Sequence, residues 1–215
     1  MEIYRSEEEQ VEALKDWWKE NGRSVIIGVG LALAVVFGWR YWQDSTHAQA
    51  EAASAQYQTL LQRLDAGEGR EVVEIARRII AEYPSTPYAA LASLSLAQQA
   101  VDQGDLDGAS AHLRWVMENA KVGEVRTLAQ VRLARVLVAQ GRADEALQQL
   151  TGVGGGSAFA MAEEVKGDAY LAQGRRTDAL RAYQAALAAA ADVPSKQQLL
   201  RMKVDDLADV GVAAQ

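Results

Sequence analysis

The sequence predicts an all-α protein: a single transmembrane helix followed by an α-solenoid of about four helical hairpins plus a C-terminal capping helix. Three observations lead there. Ser24 to Trp39 holds no charged residue. From Ser45 onward alanine is abundant, β-branched runs are rare, and all three prolines (Pro84, Pro87, Pro194) fall between predicted helices, where a missing N–H and a fixed φ punctuate the chain. Finally, Asp102-Gln103-Gly104, Ala139-Gln140-Gly141 and Ala172-Gln173-Gly174 are nearly one tripeptide. Each closes an apolar helix and precedes another, and their glycines lie 37 and 33 residues apart. The implied domains are a leading segment 1–23, a signal anchor 24–42 and a repeat domain 43–215.

The anchor follows from length and flanks. As a helix the uncharged run spans about 24 Å. Arg40, Tyr41 and Trp42 extend it to roughly 28 Å, close to the ~30 Å hydrocarbon core of a bilayer. Trp17 and Trp18 precede it, and Trp39, Tyr41 and Trp42 follow, the belt pattern of rings at headgroup depth. Arg23 and Arg40 close the two ends, and Arg40 can snorkel outward. A buried helix of a soluble core is the bland alternative, but core helices seldom carry aromatic collars and basic closures on both sides.

Arg5, Lys15, Lys19 and Arg23 lie ahead of the span; behind it come Arg40 at the boundary and then nothing basic until Arg63. By the positive-inside rule 1–23 is cytoplasmic and the chain from about Gln43 is translocated. In a bacterium this is a single-pass type II protein of the inner membrane with a periplasmic repeat domain. A cleaved signal peptide is the rival reading, since Ala48-Gln49-Ala50 has the form of a cleavage site. The long, acidic leading segment and the Trp-Arg-Tyr-Trp ending favour an uncleaved anchor.

Composition narrows the function. The chain has 215 residues and no cysteine, so a periplasmic domain is held by its core alone. Beyond the anchor 17 lysines and arginines face 22 acids, with no basic stripe. Nucleic-acid binding, which needs clustered positive charge, is excluded on that ground.

In chain order, Ser6-Glu7-Glu8-Glu9 has the form of a capping box. Val11, Leu14 and Trp17-Trp18 then recur at helical spacing, which reads as a short amphipathic helix lying on the membrane. Asn21-Gly22 is expected to end or bend it. Within the span Gly30, Ala34 and Gly38 share one face, where another helix backbone could approach closely.

The last repeat is the clearest. Gly167, Tyr170, Gly174, Ala179, Tyr183 and Ala186 match the second half of the tetratricopeptide pattern, whose period is about 34. Small residues at 167 and 179 let two helices of a hairpin approach, and Tyr170 and Tyr183 are expected to fill the space between neighbouring hairpins. One repeat upstream the slots hold Ala134, Leu137, Gly141, Ala146 and Leu150; one further, Ala97, Ala100, Gly104, Ala109 and Leu113. A degenerate hairpin is expected from about Ser45 to Tyr83, turning at 65–69. A helix from about Ser195 to Asp209 caps the stack, covering its last apolar face.

In such hairpins the first helix lines the concave face. The expected groove positions are Leu91, Leu94, Gln98 and Val101; Leu128, Val131, Arg135 and Val138; and Met161, Glu164, Asp168 and Leu171. Individually some would be plain core. Together they suit an apolar or helical segment of another polypeptide.

Nothing in the sequence assembles chemistry. His47 and His112 fall in different hairpins, and without cysteine or a His-x-x-x-His pair a transition-metal site has little support. Gly154-Gly155-Gly156-Ser157 lacks the Lys-Ser/Thr ending and preceding strand of a phosphate loop, and reads as a joint between hairpins. Glu163-Glu164 and Asp205-Asp206 point to different helix faces. The serines lack a nucleophile elbow. The expectation is a protein with no catalytic residues, cofactor or metal.

Several stretches carry a further resemblance: Met1-Glu2-Ile3-Tyr4, Gln10-Val11-Glu12-Ala13, Glu20-Asn21-Gly22, Gly38-Trp39-Arg40-Tyr41-Trp42, Ala90-Leu91-Ala92-Ser93-Leu94, Leu96-Ala97-Gln98-Gln99, Arg132-Leu133-Ala134-Arg135-Val136 and Met202-Lys203-Val204. On these the chain resembles the YfgM family, single-span ancillary subunits associated with the bacterial Sec translocon. The resemblance runs over essentially the full length, with loop 151–157 this chain's own. It implies partners: the SecYEG channel, a membrane-anchored periplasmic chaperone of prolyl-isomerase type (PpiD), and translocating or unfolded secreted proteins. It also implies an adaptor within the periplasmic chaperone network, without catalysis. A structural scaffold of another envelope complex, binding one fixed partner, is the alternative.

Overall fold

The computed structural model describes residues 7–190 and 194–212. Among them are nine α-helices and no strand. The chain divides into two units, Met1–Gln49 and Ala50–Gln215. The capping box expected at Ser6 to Glu9 lies outside the residues whose side chains are described.

The first described residues all belong to α1, Glu7–Asp65. Of the two outcomes expected at Asn21-Gly22, an end is ruled out, since α1 runs on through both residues. The Asn21 side-chain amide donates to the Trp17 carbonyl 3.1 Å away, and the Trp18 indole folds back over Gly22, where a Cβ would stand 3.1 Å from the ring. One glycine costs a helix interior only about 0.5–1 kcal/mol, so the strongly apolar sequence beyond carries it through. The apolar stretch satisfies its backbone internally and turns its side chains outward: Val35 is 70% and Phe37 64% exposed. That combination suits a hydrocarbon solvent. Among the described residues α1 is the one helix long and apolar enough to cross a membrane.

The second unit is a series of hairpins. Its first arm is the end of α1, which corrects the expectation of a separate helix beginning near Ser45. The helices that follow are α2 (Gly69–Glu82), α3 (Pro87–Asp102), α4 (Leu106–Asn119), α5 (Gly123–Ala139), α6 (Ala143–Gln149), α7 (Gly156–Ala172), α8 (Arg176–Ala189) and α9 (Pro194–Val212). α3 packs on α4, α5 on α6 and α7 on α8, with α9 against α8.

One turn builds every hairpin. Gly67, Gly104, Gly141 and Gly174 have φ of 73°, 78°, 75° and 74°. This left-handed region suits glycine, which has no Cβ to clash. In each turn the glycine N–H bonds the carbonyl three residues back, on Leu64, Val101, Val138 and Leu171. The following N–H bonds the carbonyl five back, on Arg63, Ala100, Leu137 and Tyr170. This is the Schellman motif, which satisfies carbonyls orphaned at a helix end. Gly67 lies 37 residues before Gly104, so the first hairpin keeps the register of the others.

Three apolar clusters run along the unit. Leu60, Val72, Ala76 and Ile79 join Ala89, Ala92 and Leu96 of α3. The largest spans α3 to α7 through residues such as Leu113, Val131, Leu137 and Leu150. The last joins Ala179, Tyr183 and Ala186 to Leu200 of α9. Buried Ser93 is satisfied by the His112 carbonyl at 3.0 Å; Gln130 reaches the Gln149 carbonyl at 2.5 Å, the same link one repeat on. Gln140 bonds Asp107 at 2.8 Å and Gln173 bonds Asp144 at 2.7 Å, tying each turn to the preceding hairpin.

Candidate partner-binding face

The side chains proposed as groove fall into distinct environments. Leu94, Gln98, Val101 and Arg135 meet in one pocket of about 360 Å³, together with Leu106 and Arg132. Its lining is largely apolar, with Gln98, Arg132 and Arg135 the polar members. Leu128 and Met161 share another pocket of about 500 Å³ beside Gly154 and Ala158. Leu91 lines a smaller one, about 170 Å³, next to Pro87 and Val122. Val131 is 2% exposed and sits in the core. Val138 is half-buried, while Leu171 is 41% exposed.

Glu164 and Asp168 are engaged from within the chain. Lys203 of α9 donates to Glu164 and to Asp168, each at 2.9 Å, and Arg135 lies 3.5 Å from Glu164. The Tyr183 hydroxyl donates to Asp168 at 2.7 Å, and the Lys203 ammonium stands 5.1 Å from the Tyr183 ring centre. Burial acts to lower the Lys203 pKa, but its hydrogen bonds to Asp168 and Glu164 outweigh it, leaving the ammonium above its ordinary range. Burial, then the Asp168 carboxylate that accepts its hydrogen bond, pushes the Tyr183 phenol well above the usual range. The terminal helix thus covers this part of the face.

Tyr183 also corrects an expectation. It does not fill space between hairpins but lies against Gly167 in its own: a Cβ there would come 2.3 Å from the ring. Tyr170 is half-buried against the same cluster, with the Arg175 guanidinium 4.5 Å from its ring centre. His112 is partly buried, and desolvation, followed by Arg77, lowers its pKa; its backbone carbonyl is the group that Ser93 uses.

Sequence reasoning missed three groups. Tyr57, Leu61 and Leu64 occupy in the first hairpin the register of Leu94, Gln98 and Val101, each 37 residues earlier; the signal was Gly67. Arg132 lines the pocket that Arg135 shares. Lys203 had no local signal, because its partners lie 35 and 39 residues away. On α1, Gly30 and Gly38 have nothing within 4 Å of where a Cβ would be, and Ala34 is exposed. Among the described residues no His, Cys, Asp and Glu cluster could hold a metal ion.

Four glycine-turned hairpins and a terminal helix define a protein of the tetratricopeptide-repeat class, and the family model described as "Tetratricopeptide repeat-like domain" matches residues 15–209. The chain is 35% identical over 208 residues to a protein of Escherichia coli K12 named "Ancillary SecYEG translocon subunit", covering 96% of this chain and 99% of that one. A protein of the same name from Haemophilus influenzae is 32% identical over 201 residues, covering 94% and 97%. A third, from Aggregatibacter actinomycetemcomitans, is 30% identical over 201 residues, again covering 94% and 97%. The chain belongs to the YfgM family of ancillary SecYEG translocon subunits.

Proposed function

We propose that this chain is a non-enzymatic adaptor of the bacterial inner membrane that works at the periplasmic exit of SecYEG. In this reading 24–42 is an uncleaved anchor, 1–23 is cytoplasmic, and the repeat domain is periplasmic. There it binds a PpiD-type chaperone and passes on translocating or unfolded polypeptides. The observation that carries it is the end-to-end match: 35% identity over 208 residues to a named translocon subunit takes in the apolar segment as well as the repeats. The basic residues ahead of the span support the orientation. Half-exposed apolar groups on the first helices of the hairpins support polypeptide binding.

The test is photo-crosslinking in living cells from Ala34, Gln98, Val101 and Leu171. Adducts from Ala34 to a translocon or chaperone subunit, with a spread of secreted proteins from the other three, are expected. One folded protein at every position would instead make this chain a scaffold, and an absence of SecYEG adducts would remove the translocon assignment. Ala34→Ile should reduce SecYEG co-purification if Gly30, Ala34 and Gly38 form a contact face; undiminished recovery would discard that face.

A further inference from the structure

The residue three places before each turn glycine is apolar in all four hairpins: Leu64, Val101, Val138 and Leu171. The turn does not require this. A Schellman motif pairs its apolar contact between the residue after the glycine and one four residues before it, not at this position. The core absorbs only one of the four side chains in part: Val138 is half-buried against the main cluster, whereas Leu64 is 44%, Val101 39% and Leu171 41% exposed. An apolar residue kept at this register in all four hairpins, and exposed in three of them, forms a row along the first helices of the hairpins.

Charge specifies what the row would meet. The chain carries a net −7, yet two arginines share the pocket that Val101 lines. Arg132 makes no ion pair among the described residues, and Arg135 meets Glu164 only at 3.5 Å while 53% exposed. An apolar pocket whose lining includes two weakly compensated arginines fits an apolar side chain with a carboxylate beside it. Spacing adds a second constraint. Packed helices lie about 8–10 Å apart, and a helix presents one residue per heptad every ~10.5 Å. A helix lying across the row can therefore place one apolar side chain at each hairpin.

We propose that the row, with the pocket at Val101, docks one acidic amphipathic helix of a partner polypeptide, setting a carboxylate against Arg132 and Arg135. The inference rests on the adaptor reading in taking the partner to be a polypeptide, and adds its chemistry.

The test uses the purified full chain in detergent micelles and a labelled synthetic helix of about 22 residues, enough for four heptad positions. Leucine stands at every seventh position with glutamates flanking it, and a twin peptide carries lysines in their place. Fluorescence anisotropy should show the acidic peptide binding at least about tenfold tighter, since like charges across an interface are strongly disfavoured. Arg132→Glu should reverse the preference, and Val101→Ser, which removes the apolar contact without adding charge, should weaken both peptides. Arg132 is exposed, so that variant should fold normally, as circular dichroism would verify. Equal binding of the twins, or an acidic preference that survives Arg132→Glu, overturns the proposal. SecYEG co-purification run alongside keeps the two readings apart: loss of SecYEG from the unaltered chain sinks the adaptor reading alone, and peptide binding without charge preference sinks this inference alone.

Discussion

The fourth hairpin and its upstream neighbours share one turn and differ inside it. Seven residues before each turn glycine stand Leu60, Ala97, Ala134 and Gly167; nine after it stand Ala76, Leu113, Leu150 and Tyr183. All eight are buried. In the second and third hairpins a leucine on the second helix is matched by alanine on the first. In the fourth a tyrosine is matched by glycine. The first hairpin reverses the arrangement, with the large side chain on α1 and the alanine on α2. Interiors are packed at crystal-like density, so the repeat preserves the combined size of the two positions rather than either residue. The fourth hairpin also gains a polar tip, since the Tyr183 hydroxyl reaches Asp168, which α9 clasps through Lys203.

The largest expected effect breaks this matching. Gly167→Leu places atoms where the Tyr183 ring already lies, because even a Cβ falls 2.3–2.8 Å from three ring carbons. Unfolding free energy should drop by about 3 kcal/mol, the top of the usual overpacking range. The double variant Gly167→Ala with Tyr183→Leu copies the third hairpin and should recover most of that loss. Urea denaturation of both checks it; a double variant as unstable as the single one would show that the pairs are not interchangeable.

The clasp is next in size. Lys203→Met removes two hydrogen bonds to carboxylates that are only partly solvent-accessible, and should cost about 2 kcal/mol. The sign with pH follows from the shifts. Lys203 and Tyr183 are both raised in the folded state, so each stabilises it fully below its unfolded value, about 10 for both. That contribution fades as pH climbs through the alkaline range. α9 should therefore stay docked at neutral pH and loosen above about pH 10. Hydrogen exchange at amides of 196–207, compared between the unaltered chain and Lys203→Met, measures this. Identical exchange in both would mean the apolar contacts of Leu200, Val204 and Leu207 hold α9 alone.

What the sequence disclosed was local. A glycine in a turn announces itself by backbone freedom, so Gly104, Gly141 and Gly174 placed three hairpins, and the aromatic and basic flanks of 24–42 marked the apolar helix. What it hid depended on distance or competition. The Lys203 clasp joins residues more than thirty positions apart. Tyr183 could be seen as large, but not that its space lay beside Gly167 in its own hairpin. Of the groove positions, Val131 went into the core and Leu94 is buried at the base of the pocket that Gln98, Val101 and Arg135 line, because helical spacing gives a face but not what covers it. Asn21-Gly22 has the local form of a helix end, but one glycine costs a helix little and the apolar sequence beyond carries it through.

The smallest effect asks whether the first hairpin is a full repeat. Gly67 was legible only as part of a degenerate turn, yet its φ of 73° and its two hydrogen bonds match those of Gly141. Neither glycine has an atom within 4 Å of a would-be Cβ, so alanine at either meets no clash. The cost is conformational alone, and should be about 1 kcal/mol at both positions. Equal losses for Gly67→Ala and Gly141→Ala in urea denaturation would mean the first hairpin unfolds together with the third. A negligible loss for Gly67→Ala would mean that the first hairpin opens independently, and that the exposed row proposed for a partner begins at Val101 rather than Leu64.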